Sequence, residues 1–488
     1  DNETRKRGIE SFYSHRMNGS DNDPMYVPEI GLLLDGVLQN REDSEIFITE
    51  SDAGDSDQAN YSIPMKVANP HWLFNLPWIS NGVWNYAIQE VRDHTLSKIR
   101  EIAENYSFDG IELDFARGFV FPPGTGWENR SLLTKFIYDV REMTLEIEEK
   151  RGKAFLLATR IPEKIVGCHF DGIDPESWAK YRLVDIFTLG ARSFDVDVGD
   201  FRKITENIPI KIYPVLDDHH SCDAYCTPPI EVFRGVFSNW YRQGADGIQT
   251  FNWAYQIKEW GPWPAEPWSH LHLQAYKEMG KPESFKYLNK TFVVQRRGGG
   301  HGAPVVHDPE DWSPPRHGYA NSNMLAQLPK EISNDTKIDT MLTVYIADDL
   351  NKESDKINKI RVRILLHDTD EGDYITFPRL SPVPKEKNHQ IQRAVIRDWG
   401  IPLRPGKENQ KFLYNAPTKK GIEDIVEIRI NNSLISNSEI DEGWLVFKAC
   451  PEQFALGENL IGIRVTKRNQ KTNKTILIEK LEVDVNYK

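Results

Sequence analysis

The amino-acid sequence predicts an α/β chain, a (β/α)8 TIM-type barrel followed by a C-terminal antiparallel β-sandwich. Between Gly8 and about Met279, short runs rich in Val, Ile, Phe and Tyr alternate with amphipathic helical stretches. This βαβα rhythm is typical of a parallel sheet or barrel. After Gly280 the helical periodicity fades, and short alternating strands between turn clusters replace it, which indicates an antiparallel sandwich.

The barrel prediction depends on seven candidate strands. Amphipathic helices are expected between them over residues 89–106, 131–150 and 230–243. A closed barrel needs eight strands, so the first lies upstream of Asp1, or a strand lies within residues 29–35, or the barrel is incomplete. The candidate strands cover residues 9–13, 82–86, 110–115, 154–159, 186–189, 210–216 and 247–252.

The same patterns divide the chain into domains. Residues 1–280 are predicted to form the catalytic barrel, with a loop insertion at about 21–81 and, under the first of these alternatives, an N-terminal strand upstream of Asp1. Residues 281–325 are predicted as a linker with bridging loops, and residues 326–488 as an accessory sandwich. The predicted sandwich strands are residues 340–346, 359–366, 425–431, 442–448, 461–467 and 476–485.

Composition narrows the classes of partner. The formal net charge of -13 argues against a nucleic acid or an anionic membrane held by bulk charge. No apolar run of about 18 residues is present, so no membrane-spanning segment is predicted. The four cysteines include no CxxC pair, and Cys222 and Cys226 either close a small loop or remain thiols. Aromatic residues make up 11% of the chain, which suits sugar stacking as well as a large core.

Two acids stand on one predicted strand, in the segment from Phe108 to Phe115. Side chains alternate along a strand, so Glu112 and Asp114 face the same way, and apolar neighbours face the helices. In a barrel the βα loops at the C-terminal ends of the strands form the site. Asp114 at the rim is therefore the first catalytic candidate, while Glu112 either supports it or forms a salt-bridge layer with an interior arginine.

Hydrolysis of a glycoside needs a second carboxyl group. Glu163, in the loop after the predicted strand 154–159, is the preferred partner of Asp114. Asp217 or Asp218, at the end of the predicted strand 210–216, is the alternative. With His219 and His220 these acids also form a candidate metal cluster, but adjacent side chains point in different directions and no His-x-x-x-His spacing occurs. No metal and no cofactor are predicted.

The remaining candidates are substrate-binding residues at the predicted rim. Arg16, Arg117 and Arg160 each follow a strand, and together they favour a substrate that carries sulfate or carboxylate. If these arginines pair with barrel acids instead, the substrate is neutral. The full predicted set is His15, Arg16, Asn85, Tyr86, Glu112, Arg117, Arg160, Asp217, His219, Asn252 and Trp253.

Several of these segments carry a family resemblance. The run from Phe108 to Arg117, the helix start from Glu90 to His94, and the run from Gly244 to Trp253 resemble the glycosyl hydrolase-like barrel proteins of polysaccharide-degrading bacteria. The run from His15 to Asn18 is similar to an Arg-Met-Asn-Asp segment of that family, with Gly19 in place of the final Asp. The resemblance covers roughly residues 8–280 and includes a similar β-sandwich behind the barrel.

The resemblance implies a function. Some members look like endo-acting hydrolases of sulfated fucans, which implies an anionic polysaccharide substrate, retaining chemistry and an extracellular or periplasmic setting. Asp114 and Glu163 are the positions to which the catalytic roles carry over. Two alternatives remain open, a non-catalytic polysaccharide-binding protein on a barrel scaffold and a metal-dependent carbohydrate hydrolase or deacetylase.

Overall fold

The structure, a computed structural model, describes seventeen stretches of the chain. Its packing divides into two compact units, one built mainly from Asp1–Gly190 and Lys203–Lys211, the other from Ala191–Arg202, Ile212–Ser313 and Ser322–Lys488. The predicted domain limits at residues 280 and 325 stay a prediction. The described residues are 4, 6–18, 26–27, 31–32, 48–49, 60–61, 64–76, 79–116, 118–191, 193–216, 228–251, 253, 265–295, 326–368, 421–441, 444–468 and 475–488.

Six strands form a parallel sheet in which the spatial order follows the chain order. This order arises when each crossover places its strand beside the previous one. The strands are β1 (Phe12–Arg16), β2 (Gly110–Asp114), β3 (Leu156–Ile161), β4 (Ile186–Leu189), β5 (Lys211–Leu216) and β6 (Gln249–Thr250).

The described residues therefore form a parallel β/α half-barrel, and the predicted closure into a full (β/α)8 barrel is not seen among them. One predicted barrel strand, residues 82–86, does not join the parallel sheet in the described structure. Ile79–Trp84 pairs antiparallel with Leu73–Leu76 in a separate two-stranded sheet. Gly82 adopts a left-handed φ of 68° there, a conformation that interrupts a regular strand.

Helices connect the parallel strands, and the three predicted ones are present. In α1, the buried positions Val91, Thr95, Ile99 and Ala103 recur every four residues, so one stripe of the helix packs inward. The second helix, α2, ends at Gly152, whose left-handed backbone lets its N–H donate to Glu148 O. The helices are α1 (Gln89–Asn105), α2 (Gly126–Arg151), α3 (Ile165–Asp171), α4 (Pro175–Lys180), α5 (Val198–Ile204), α6 (Ile230–Arg242) and α7 (Ala265–Met279).

Only short elements of the predicted insertion at residues 21–81 lie among the described residues. The strands Tyr26–Val27 and Gly31–Leu32 pair with each other, as do Ile48–Thr49 and Asn60–Tyr61. A short helix, Pro64–Ala68, precedes a 3-10 turn at Pro70–Trp72. The role of this segment as a cover for the site stays a prediction.

The C-terminal half of the second unit contains two antiparallel sheets, and all six predicted strands are present. One sheet has the order β7-β16-β10-β14-β13, with β8 also on β16, and the other has the order β9-β15-β11-β12. The strands are β7 (Lys290–Val293), β8 (Lys330–Glu331), β9 (Thr340–Ile346), β10 (Ile357–Asp368), β11 (Val426–Ile430), β12 (Ser433–Ile435), β13 (Ser438–Asp441), β14 (Trp444–Ala449), β15 (Gly457–Val465) and β16 (Ile476–Tyr487).

One hydrophobic core joins these two sheets. It contains Val344 of β9 and Ile463 of β15 from one sheet, and Val362 of β10 and Val483 of β16 from the other. This shared core gives the layer arrangement of a β-sandwich. Outside the sandwich, α6 packs against β7 so closely that a Cβ added at Gly235 would meet Thr291 O at 2.2 Å. None of the helices in the described part of the chain is long and apolar enough to cross a membrane.

Candidate active site

The middle of the candidate site is strand β2, which is buried along its whole length. Its register pairs Glu112 with Ser14 on one side, and Asp114 with Arg160 on the other. Side chains of paired residues in a parallel sheet lie on the same face. The two acids, the serine and the arginine therefore share one face of the sheet, as the alternation of residues predicts.

Glu112 is held in a buried ion pair. Its Oε1 accepts hydrogen bonds from Arg160 Nη2 at 2.9 Å and from Ser14 Oγ at 2.9 Å. The side chains of Arg160 and Glu112 are only 4% and 7% exposed. The charge of a buried carboxylate has to be balanced in this way, because removing it from water is costly. Of the two roles predicted for Glu112, this geometry is that of the salt-bridge layer.

Asp114 stands two residues further along, where the strand ends. Its Oδ1 accepts a hydrogen bond from the backbone N–H of Ala116 at 2.8 Å, and its side chain is buried. The backbone also fixes this position, since Met17 N donates to Asp114 O at 2.9 Å. The carboxylate is therefore oriented by the turn that follows β2, and it belongs to the end of the strand where loops build a site.

His15 lies on β1 beside this end of the sheet. Burial, together with the positive charge of Lys98, lowers the pKa of His15 to about 4, while the charge of Asp114 acts in the opposite direction. The imidazole is thus neutral at pH 7. Its Nδ1 lies 3.4 Å from the hydroxyl of Tyr13. In this state His15 is a neutral hydrogen-bonding group and not a cationic ligand for sulfate or carboxylate.

Glu163 follows β3 in the loop that leads into α3. Its side chain is 2% exposed, so it is unlike the solvated acids that usually occupy loops. Gly190, with a left-handed φ of 73°, leaves room for it, because an added Cβ there would lie 3.2 Å from Glu163 Cβ. Since β2 and β3 are adjacent and parallel, Asp114 and Glu163 both emerge from the same edge of the sheet.

The loop of Glu163 is packed on an inert thiol. Cys168 Sγ donates to Pro162 O at 3.6 Å. Burial raises the pKa of this thiol well above its usual value, and the nearby acids Asp171 and Glu163 raise it further. Cys168 is therefore a packing residue under the loop and not a nucleophile.

Asn85 and Tyr86 occupy the turn before α1. The hydroxyl of Tyr86 is fully buried and donates to Met17 O at 2.6 Å, so Tyr86 supports the chain that leaves β1. Asn85 Oδ1 accepts from Ala87 N at 3.0 Å, a local turn contact. The structure thus places Tyr86 in the core, and the substrate-binding role predicted for Asn85 stays a prediction.

Asn18 connects the segments behind the site, a role that sequence reasoning missed. Its Nδ2 donates to Trp84 O at 2.8 Å and to Phe119 O at 2.6 Å, and its Oδ1 accepts from Trp84 N at 3.2 Å. The side chain is 2% exposed. One amide therefore joins the chain after β1, the antiparallel hairpin and the chain after β2. The signals in the sequence were the position of Asn18 just beyond a strand and its place in the Arg-Met-Asn segment.

Trp253 belongs to the second unit, where it is part of a packed aromatic cluster. Its ring stacks on His272 with a centroid distance of 4.2 Å and an interplanar angle of 12°, and Phe233 lies 5.5 Å away. Because the side chain is only 5% exposed, it packs this cluster, and its role as a sugar platform stays a prediction.

Some predicted site residues lie outside the described residues. These are Arg117, Asp217, Asp218, His219, His220 and Asn252, and their roles stay predictions. Over the described stretches, the structure holds no group of three or more His, Cys, Asp or Glu side chains that could bind a metal ion.

Comparisons with known proteins found no matching family model and no matching curated protein. Among solved structures, the chain is similar to a glycoside hydrolase family 18 N-acetylglucosaminidase from Paenibacillus barengoltzii. The sequence identity is 13%, the match covers 27% of this chain and 45% of that chain, and the TM-score is 0.21. It is also similar to a chitinase from Chromobacterium violaceum. Here the identity is 14%, the match covers 28% of this chain and 46% of that chain, and the TM-score is 0.20.

The match to a third structure covers more of this chain. That structure is a cycloisomaltooligosaccharide glucanotransferase from Paenibacillus sp.; the identity is 9%, the match covers 84% of this chain and 40% of that chain, and the TM-score is 0.22. The chain spans less than half the length of these three structures.

Proposed function

We propose that the chain is a glycoside hydrolase that cleaves a polysaccharide with two carboxyl groups, Asp114 and Glu163. The observation that carries this proposal is the placement of both acids at the C-terminal ends of the adjacent strands β2 and β3. Both side chains are at most 3% exposed. Glycoside hydrolysis requires one carboxyl group to protonate the leaving oxygen and a second to act as nucleophile or base.

The paired surroundings of Glu112 support this assignment of roles. Arg160 and Ser14 already bind one oxygen of Glu112 at 2.9 Å, so its charge is balanced within the sheet. Asp114 instead receives a backbone N–H at 2.8 Å. Glu112 and Arg160 thus join β2 and β3 beneath the two proposed catalytic acids.

The proposed substrate is an anionic polysaccharide, with Arg16 as the residue that selects it. Arg16 is exposed and lies in register with Asp114 on the neighbouring strand. Arg160 is committed to Glu112, so the proposed selectivity depends on Arg16 and, outside the described residues, Arg117. Guanidinium groups suit sulfate and carboxylate because they donate two parallel hydrogen bonds. Retaining, endo-acting chemistry and a secreted or periplasmic location complete the proposal.

The test is the substitution Asp114→Asn in the full chain. Release of reducing ends from the anionic polysaccharide that the parent chain cleaves, fucoidan or alginate, should fall by about 10³-fold while the fold is preserved, since a positioned acid or base contributes this order of rate. The matched control is Asp109→Asn at the opposite end of β2, where Asp109 pairs with Lys153. That variant should be less stable but active.

Two outcomes would contradict the proposal. Near-wild-type turnover by Asp114→Asn would remove Asp114 from catalysis. Binding of a polysaccharide without any released product would favour the second candidate, a non-catalytic polysaccharide-binding protein, which the commitment of Glu112 to Arg160 also permits. The anomer formed first, followed by NMR, would test retention, and Arg16→Met should weaken binding of fucoidan more than of laminarin.

A further inference from the structure

A polar cleft lies on the outer face of the first sandwich sheet, within the second unit. On β10 and β16, Val362 and Val483 face the sandwich core, and the residues that alternate with them line the cleft. The N-terminal turn of α6 forms another wall. The cleft has a volume of about 330 Å³ and is lined by Glu231, Arg361, Arg363, Glu482, Asp484 and Asn486, among others.

The charged groups of this cleft hold one another in place. Arg361 Nη2 lies 3.0 Å from Asp484 Oδ2, and Arg363 Nη2 lies 2.5 Å from Glu482 Oε2. Thr291 Oγ1 donates to Asp484 Oδ1 at 2.9 Å. The guanidinium of Arg363 also lies 4.5 Å from the centre of the Trp444 ring. Side chains that are fixed before a ligand arrives lose little entropy when it binds.

The balance of charge indicates which kind of ligand fits. Arg361 and Arg363 face the three acids Glu231, Glu482 and Asp484, and Glu482 and Asp484 are at most 7% exposed. A simple anion would have to displace a buried carboxylate from its arginine, and that is costly. A neutral molecule with many hydroxyl groups can instead donate to the acids and accept from the arginines without breaking either pair.

One donor in the cleft wall has capacity for such a ligand. Arg361 Nε is buried and has no hydrogen-bond partner among the described residues. A buried donor without an acceptor costs stability, so native sites usually supply an acceptor. Because this atom is shielded from solvent, a hydroxyl oxygen of a ligand would satisfy it once the guanidinium turns toward the cleft. The cleft volume lies at the lower end of the roughly 300–1,000 Å³ found for ligand pockets.

We propose that this cleft binds a neutral saccharide unit. The chain would then carry a carbohydrate-binding site made of residues that take no part in the proposed hydrolysis. The proposal does not rest on the hydrolase assignment, because a binding site in the second unit functions whether or not Asp114 and Glu163 are catalytic.

Binding is tested on the full chain with Asp114→Asn, so that turnover cannot consume the probe. The neutral probes are laminarin, galactomannan and arabinoxylan in affinity electrophoresis, with calorimetry on their oligosaccharides, and fucoidan is the anionic comparison. We expect at least one neutral probe to bind, and Asn486→Ala and Arg361→Met to raise its Kd at least tenfold.

The control is Arg464→Met, which removes an arginine paired with Glu427 at 2.9 Å on the other sheet and should leave the Kd unchanged. If circular dichroism shows that Arg361→Met is misfolded, Asn486→Ala decides. Absence of binding to all neutral probes, or equal binding by Asn486→Ala and the parent, would overturn the proposal. Loss of hydrolysis alone would not affect it, so the two proposals fail separately.

Discussion

Glu112 and Asp114 are two residues apart on one strand, yet their surroundings differ. Glu112 has a guanidinium and a hydroxyl on one oxygen, both at 2.9 Å. Asp114 has a backbone N–H from the turn that follows it. The difference arises because Arg160, in register with Asp114 near the end of β3, lies on the same face and its long side chain reaches back to Glu112. Two carboxyl groups on one strand thus take different roles: Glu112 belongs to a structural ion pair, and Asp114 is the candidate catalytic acid.

The lowered pKa of His15 leads to a prediction for acid stability. The folded value of about 4 lies below the usual 6.5, so the unfolded chain binds more protons between these two pH values. Stability should therefore decrease as the pH falls from 6.5 to 4, by roughly 3 kcal/mol from this group. His15→Gln should remove that part of the slope, as measured by urea unfolding at several pH values. Parallel pH profiles for the two proteins would contradict the assignment.

The loops after β2 and β3 are held together by a close contact between α2 and α3. A Cβ added at Gly126 would meet Phe170 O at 2.4 Å, and one added at Gly172 would meet Gly126 O at 2.6 Å. Only glycine permits this approach. Because α2 follows the loop of Asp114 and α3 follows the loop of Glu163, the contact stabilises both loops that carry the proposed catalytic acids.

A matched pair of glycines tests this contact. Gly172 and Gly124 have nearly the same left-handed φ, 81° and 83°, but an added Cβ at Gly124 would meet nothing within 4 Å. Gly124→Ala should cost about 1 kcal/mol from backbone strain, and Gly172→Ala about 3 kcal/mol because overpacking adds to that strain. Chemical denaturation measures both. Equal losses would mean that the helix contact adapts and does not constrain the loops.

In the whole molecule, the sandwich depends on its last strand. Strand β16 lies between β7 and β10 and also pairs with β8. Its partner β7 lies nearly two hundred residues earlier in the chain, since Thr291 stands opposite Asp484 in the register of the two strands. Six of its apolar side chains are buried in the shared core: Ile476, Ile478, Leu481, Val483, Val485 and Tyr487. The sandwich therefore assembles around a strand that joins distant parts of the chain.

Removal of residues 476–488 should abolish the fold of the sandwich. Burial of these six side chains stabilises by on the order of 10 kcal/mol, which is comparable with the whole stability of a typical domain. Near-ultraviolet circular dichroism and limited proteolysis would show the loss, and removal of Lys488 alone is the control. A truncated chain with an intact cooperative unfolding transition would contradict the central role of β16.

What could be predicted depended on how local the signal was. Residues 186–189 match β4 and residues 340–346 match β9, because runs of β-branched and aromatic residues between turns specify such strands locally. Residues 82–86 were predicted as a barrel strand, but residues 82–84 pair instead with the neighbouring segment Leu73–Leu76 in an antiparallel hairpin, because the apolar pattern of a single strand does not specify which partner it pairs with. The closure of the barrel is not seen among the described residues and stays a prediction.

The sequence by itself determined the α/β class, the sandwich strands, the shared face of Glu112 and Asp114, and Asp114 at the end of its strand. These follow from periodicity, which short stretches of chain carry. Only the tertiary structure decided that Arg160 neutralises Glu112, that Glu163 is buried beside Gly190, that Asn18 joins three segments and that a charged cleft faces away from the sandwich core. Each of these depends on contacts between residues far apart in the chain, and such contacts form only when the whole domain packs.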